Sequence, residues 1–227
     1  MKLRLGCPLE NMPAKCTCSN ENNALDKLGT HILGCSNGNG ANERHKQLQN
    51  DVGAMAINAG YAITMESRIS RSNGSRRGDI IVQRGGQQRQ LVLDVTVGLP
   101  TCSSYVVPSS TTQRYTIGKL EYGKNRLYEA ACERDNMEFM PCAFESFGAW
   151  SKSFTKLFNG WIERMEMRGL NKHTQQIYWS RRISCTIQKF NSRTIINKIA
   201  EISAFKRKGD EAFHGQFDAH GELCLEE

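Results

Sequence analysis

Between Glu43 and Ala59 the apolar residues Leu48, Val52, Met55 and Ala59 recur at helical spacing, with Gly60 following as a C-terminal cap, and this predicts a first amphipathic helix. The pattern then shortens to three stretches of strand character, Tyr61 to Met65, Asp79 to Gln83 and Gln90 to Val97. The last of them, QLVLDVTV, is strongly β-branched and apolar, as expected of a central strand. RGGQQ lies between the second and third, and its two glycines suit a tight turn, so these strands form an antiparallel hairpin. A Ser- and Thr-rich loop from Pro100 to Gln113 precedes a second helix over Tyr115 to Arg134. MEFMPCAF reads as a fourth strand ending near Phe144, and helical spacing returns beyond Trp150. The prediction is an α/β fold whose core runs helix, three-stranded antiparallel meander, helix, strand. Its divisions are an N-terminal segment 1–42, the core 43–150, a helical extension 151–205 and a disordered tail 206–227, where no usable period remains.

At 227 residues the chain accommodates one principal domain with an appendage. Lys and Arg exceed Asp and Glu by 30 to 23, a formal charge of +7 that favours a polyanionic partner. No window approaches the ~20 apolar residues of a membrane span, and the opening MKLRLGCPL lacks the apolar region of a signal peptide. A soluble, intracellular protein is expected, nuclear or cytoplasmic, with no membrane partner. Of nine cysteines, Cys102, Cys132, Cys142, Cys185 and Cys224 are scattered, as small core residues are in a reducing compartment. The other four crowd the first 35 residues.

The strand acids carry the first chemistry. A hairpin folded about the Gly86–Gln87 bond places Asp79 opposite Asp94. Facing carboxylates repel unless a cation lies between them, and two acids with open water positions suit magnesium or manganese. Asp94 sits inside LVLDVTV, where an unpartnered charge is expensive. On the second helix Leu120, Lys124, Leu127 and Ala131 form one stripe, so Lys124 either snorkels to water or delivers its ammonium to the acids beneath. Lys119, off that stripe, is the second choice.

Several pieces taken in order resemble the restriction-like endonuclease domain, of the PD-(D/E)XK superfamily, that accompanies the reverse transcriptase of non-LTR retroelements. They are THILGC at 30–35, RHKQLQND at 44–51, RRGDIIV at 76–82, LVLDVTV at 91–97 and FMPCAFESFGAW at 139–150. The resemblance runs from about Gly6 to Ile199. It implies a metal-dependent cut in target DNA whose free 3′ end primes reverse transcription, with a reverse transcriptase region in the same element or another chain as partner. Asp79 matches the first acid of the family and Asp94 the second. The lysine usual two residues after the second acid is Thr96 here, and the helical KxxKY-like motif reads KNRLY, retaining Lys124 and Tyr128 with Leu127 in place of the second lysine. The superfamily's proline is Gly78. A third acid is open among Glu43, Asp51 and Glu66.

Cys16, Cys18, His31 and Cys35 make an array of three thiols and one imidazole that suits structural zinc in a tetrahedron. The resemblance supports this, since related proteins carry a Cys-and-His knuckle just before the nuclease. Cys16 and Cys18 are closer in sequence than is usual, and Cys7 is an alternative ligand. Arg76, Arg77, Arg181 and Arg182 are the candidate nucleic-acid-binding cations, for DNA and possibly RNA in the competing case. Two rival readings stand beside the nuclease: a catalytically inactive nucleic-acid-binding module using the knuckle and the basic stretch 181–198, and the remnant of a decayed retroelement.

Overall fold

The computed structural model describes residues 7–18, 24–35, 40–69, 77–86 and 89–214, with side chains through 205. Arg76, Cys224 and the tail beyond 214 lie outside them. The chain forms two compact units, Gly40–Asn191 and, separately, Met1–Asn39 with Ser192–Glu227.

In the larger unit α2 (Gly40–Asn58) leads into β1 (Ala62–Arg68), β2 (Arg77–Gln83) and β3 (Leu91–Gly98). Then come α3 (Val106–Thr111), α4 (Tyr115–Arg134), β4 (Glu138–Glu145), α5 (Lys152–Met167) and α6 (Lys172–His214), of which the part from Ser192 onward is assigned to the smaller unit. The four strands make one sheet in the order β1-β2-β3-β4. The first two pairings are antiparallel and the β3–β4 pairing is parallel, with α4 as the crossover between them. This is a mixed α/β architecture.

Alternation along the strands explains the layering. Ile80, Val82, Leu91, Leu93 and Val95 pack on one face, under α2, α5 and α6, with Leu48, Val52, Met55, Phe154, Trp161 and Ile183. Ile81 and Val92 turn to the other face, where Ala131 and Cys132 of α4 cover them. Asp94 has the parity of Val92, so the period of two sends it toward α4. Ser151 opens α5 by accepting from the Phe154 N–H at 3.1 Å, which places Phe154 against Phe144 at a ring separation of 4.8 Å. Asp51, fully buried, accepts from Arg182 Nε at 2.9 Å and Thr186 Oγ1 at 2.6 Å, which pins α6 to α2.

Two glycines mark close approaches. A Cβ at Gly78 would fall 2.5 Å from Val92 Cγ1, so a larger residue there requires the Val92 side chain or its strand to shift. One at Gly98 would fall 2.4 Å from Thr116 Cγ2, where β3 runs against the first turn of α4.

The structure departs from the sequence expectation in three places. The expected 100–113 loop contains α3, a six-residue helix with no buried residue, and without an apolar stripe it leaves no period to read. The tail expected to be disordered from 206 is helical through His214. Lys206, Arg207, Lys208, Glu211 and Ala212 are all good helix formers, so propensity continues where amphipathic spacing stops. Finally, Cys185 is exposed rather than a core residue, while Cys132 and Cys142 are buried. Burial pushes the Cys132 thiol up to about 11 and raises that of Cys142 well above the ordinary range, so both are inert thiols.

Among the described residues no helix is long and apolar enough to cross a membrane.

Candidate functional site

The β2–β3 register pairs Ile80 with Leu93, Ile81 with Val92 and Val82 with Leu91, and one further step brings Asp79 level with Asp94. Asp79 is tied into that hairpin, because its Oδ2 accepts the Val95 N–H at 2.7 Å. Asp94 is 2% exposed. From the covering helix, Lys124 places its Nζ 2.7 Å from Asp94 Oδ2, in ion-pair contact but without the alignment of a good hydrogen bond. Burial raises the Asp94 carboxyl above its usual value and the Asp79 charge adds to the rise, while Lys124 and Tyr128 act in the opposite direction. Lys124 lies over the Tyr128 ring at 5.6 Å, and that ring stacks on Phe139 of β4 at 5.1 Å, so the lysine is steered by packing as well as charge.

On its other side Asp79 opens onto a cleft of about 420 Å³ between the N-terminal half of α2 and the β1–β2 pair. His45 Nε2 is 3.6 Å from Asp79 Oδ2. One helical turn on, Gln49 also lines the cleft; it is 2% exposed and its Oε1 has no hydrogen-bond partner among the described residues. Glu66 stands across from Asp79, between the Met65–Ile80 and Ser67–Gly78 pairs, and is ion-paired with Lys46. Its φ of +50° is a left-handed conformation in mid-strand, a strain of ~1–3 kcal/mol of the kind that gathers at functional positions. Of the three candidate third acids, Glu66 alone lines the cleft with Asp79; Asp51 is committed to Arg182 and Thr186, and Glu43 is exposed on α2.

A second cluster belongs to the smaller unit. The ligand atoms of Cys16, Cys18, His31 and Cys35 all lie within 4.8 Å of one another, with Cys18 Sγ 3.4 Å from His31 Nε2. This cluster could hold a metal such as zinc, and Cys7 is not part of it. A short antiparallel bridge, Lys15 to Ala24, brings the first two thiols to α1 (Thr30–Gly34), which carries His31 and ends at Cys35. Asp26 sets that helix by accepting the N–H groups of Leu28, Thr30 and His31 at 2.8, 3.2 and 3.2 Å. Burial pushes its carboxyl up, and those backbone donors more than offset it, leaving it below the usual range.

Lys198, 4% exposed, lies near Cys16 and Cys35 and bonds Glu201 at 2.9 and 3.1 Å. Burial pulls its ammonium down, but Glu201, together with Cys16 and Cys35, outweighs that. Three thiolates around a divalent ion leave net negative charge, which Lys198 is placed to offset.

No family model matches the chain, and no curated protein does.

The predicted cations separate. Arg77 lines the Asp79 cleft and Arg181 is exposed on α6, whereas Arg182 is occupied by Asp51 and Tyr178. Arg76 lies outside the described residues. Lys119 faces the Tyr115 ring at 5.4 Å rather than the acids. Sequence reasoning missed His45 and Gln49 in their site setting. The only available signal was their spacing of four on the flank of an amphipathic helix.

Proposed function

We propose that this protein is a metal-dependent endonuclease that cleaves a phosphodiester of DNA, of the retroelement-associated, restriction-like type. The observation that carries the reading is the meeting of Lys124, from α4, with Asp94 on a buried strand whose hairpin partner carries Asp79. A buried acid in a largely apolar strand serves stability poorly, so its presence beside a second acid and a lysine points to chemistry.

The donor set fits a hard divalent cation: two carboxylates on adjacent strands, one of them with an oxygen lacking an aligned hydrogen bond. Asp79 and Asp94 would hold magnesium or manganese, with a backbone carbonyl near Val95. When bound, such an ion supplies a water of lowered pKa and neutralises charge on a phosphoryl group. The chain's own residues do the rest. Lys124 presents a cation to the phosphate oxygens as charge builds on them, and the Tyr128 ring holds that lysine in place. Arg77, at the mouth of the Asp79 cleft, meets a neighbouring phosphate. Zinc in the Cys16, Cys18, His31, Cys35 cluster is structural, since four protein ligands leave no open position. By the resemblance, the partner of the cut end is a reverse transcriptase.

Relaxation of supercoiled plasmid in magnesium tests the reading. The native chain is expected to nick, and Lys124→Met to nick ~10²–10³-fold more slowly, the usual effect of losing one charge-stabilising donor. Absence of nicking by the native chain, with plasmid still shifted on a gel, would assign it to the binding modules instead.

A further inference from the structure

At the C-terminal end of α2, some twelve residues along the helix from His45 and so ~18 Å from the acid cleft, lies an open groove of about 590 Å³. Ile57 and Asn58 of α2 form one side, and Arg168, Gln175, Tyr178 and Trp179 form much of the other, with Arg182 at the edge. No acidic residue lines it.

Several of its polar groups can donate. Trp179 is 3% exposed, and its buried indole Nε1–H has no hydrogen-bond partner among the described residues. Gln175 accepts from Asn58 Nδ2 at 3.0 Å through its oxygen, which leaves its own NH2 to donate. It sits in the first turn of α6, whose N-terminus adds partial positive charge. Arg182 uses Nε on Asp51 and Nη1 on Tyr178, leaving Nη2. Arg168 is exposed and has no ion pair among the described residues. Its Nη1 lies so close over Gly60 that a Cβ there would fall 1.6 Å away, so the guanidinium is laid along the backbone rather than waving in solvent.

The groove also offers flat surfaces. Tyr178 is 48% exposed, stands edge to face with Trp179 at 5.0 Å, and shares with it the Arg182 guanidinium, 5.6 Å from the Trp179 ring.

We infer that this groove is a second nucleic-acid site, one that takes a single strand. Arg168 and Arg182 hold phosphate, and a base stacks on Tyr178. Cations alone would serve an acidic peptide equally well; the exposed Tyr178 ring beside them suits a ligand that couples a base to each phosphate. The site stands independently of the metal-dependent cut proposed above.

Fluorescence anisotropy of a labelled oligothymidylate, with the full chain and no magnesium, tests this. Tyr178→Ala is expected to weaken binding about tenfold, Tyr178→Phe to bind as the native chain does, and Arg168→Gln to weaken it about fivefold while flattening the salt dependence by ~0.7 in log-log slope. Arg168 is exposed and unpaired, so its variant is informative even if Tyr178→Ala fails to fold. Native affinity in both Arg168→Gln and folded Tyr178→Ala overturns the inference. So does displacement of the oligonucleotide by polyglutamate as effectively as by unlabelled oligothymidylate.

Discussion

Asp94→Asn is expected to bind DNA as tightly as the native chain, to melt at the same temperature or higher, and to leave no measurable nicking. The combination follows from where the residue sits. Asp94 is buried in a strand of Leu, Val and Thr, and its carboxyl is raised first by burial and then by the Asp79 charge. An acid whose folded pKa lies above its unfolded value destabilises the fold: stability is lost as pH rises through the interval between the two. The amide has the same shape without that charge, so the fold keeps its packing and loses the burden, although Lys124 then lacks its partner. A structural ion pair behaves in the opposite way, with the variant melting well below the native protein. Thermal melting and a gel shift, run beside the nicking assay, separate the two.

The second large effect concerns the Cys and His cluster. One equivalent of zinc per chain is expected by elemental analysis, with Cys16→Ser losing it and losing amide-exchange protection across 24–35. Among the described residues of the smaller unit the buried aliphatic side chains are few, Ile32, Leu33, Ile195 and Ile202, so a bound metal would add a major constraint on the segment 24–35. Zinc binding to such peptides is worth ~10–16 kcal/mol at neutral pH, and because folding and binding are coupled that energy is folding energy. Acid weakens it, since thiolates and imidazole must lose protons to bind. Lys198→Met is expected to lower zinc affinity without removing a ligand. A zinc-free native chain with unchanged protection in 24–35 contradicts the assignment.

Much of the larger unit was legible because its signals are local. The helix over 115–134 and the strand around LVLDVTV are long and strongly patterned, and the register Asp79 opposite Asp94 followed from a single turn, RGGQQ. Lys124 was legible for the same reason, as a charge in an otherwise apolar stripe. What stayed hidden depends on contacts far apart in sequence. The pairing of Arg182 Nε with Asp51, on a different helix, has no signal in its own stretch of sequence. His45 looks like an ordinary helix residue until the fold brings it beside Asp79, and only the β1–β2 register and the cleft separate Glu66 from the other candidate third acids. The Trp179 groove left no motif at all, because its parts come from α2, the α5–α6 turn and α6.

The most direct test of the central claim is plasmid nicking by the native chain and by the Asp79→Ala/Asp94→Ala double variant, each with and without magnesium and after removal of excess zinc. The account predicts nicking only by the native chain and only with the metal, while both proteins shift the plasmid on a gel. Magnesium-dependent nicking that persists in the double variant contradicts it.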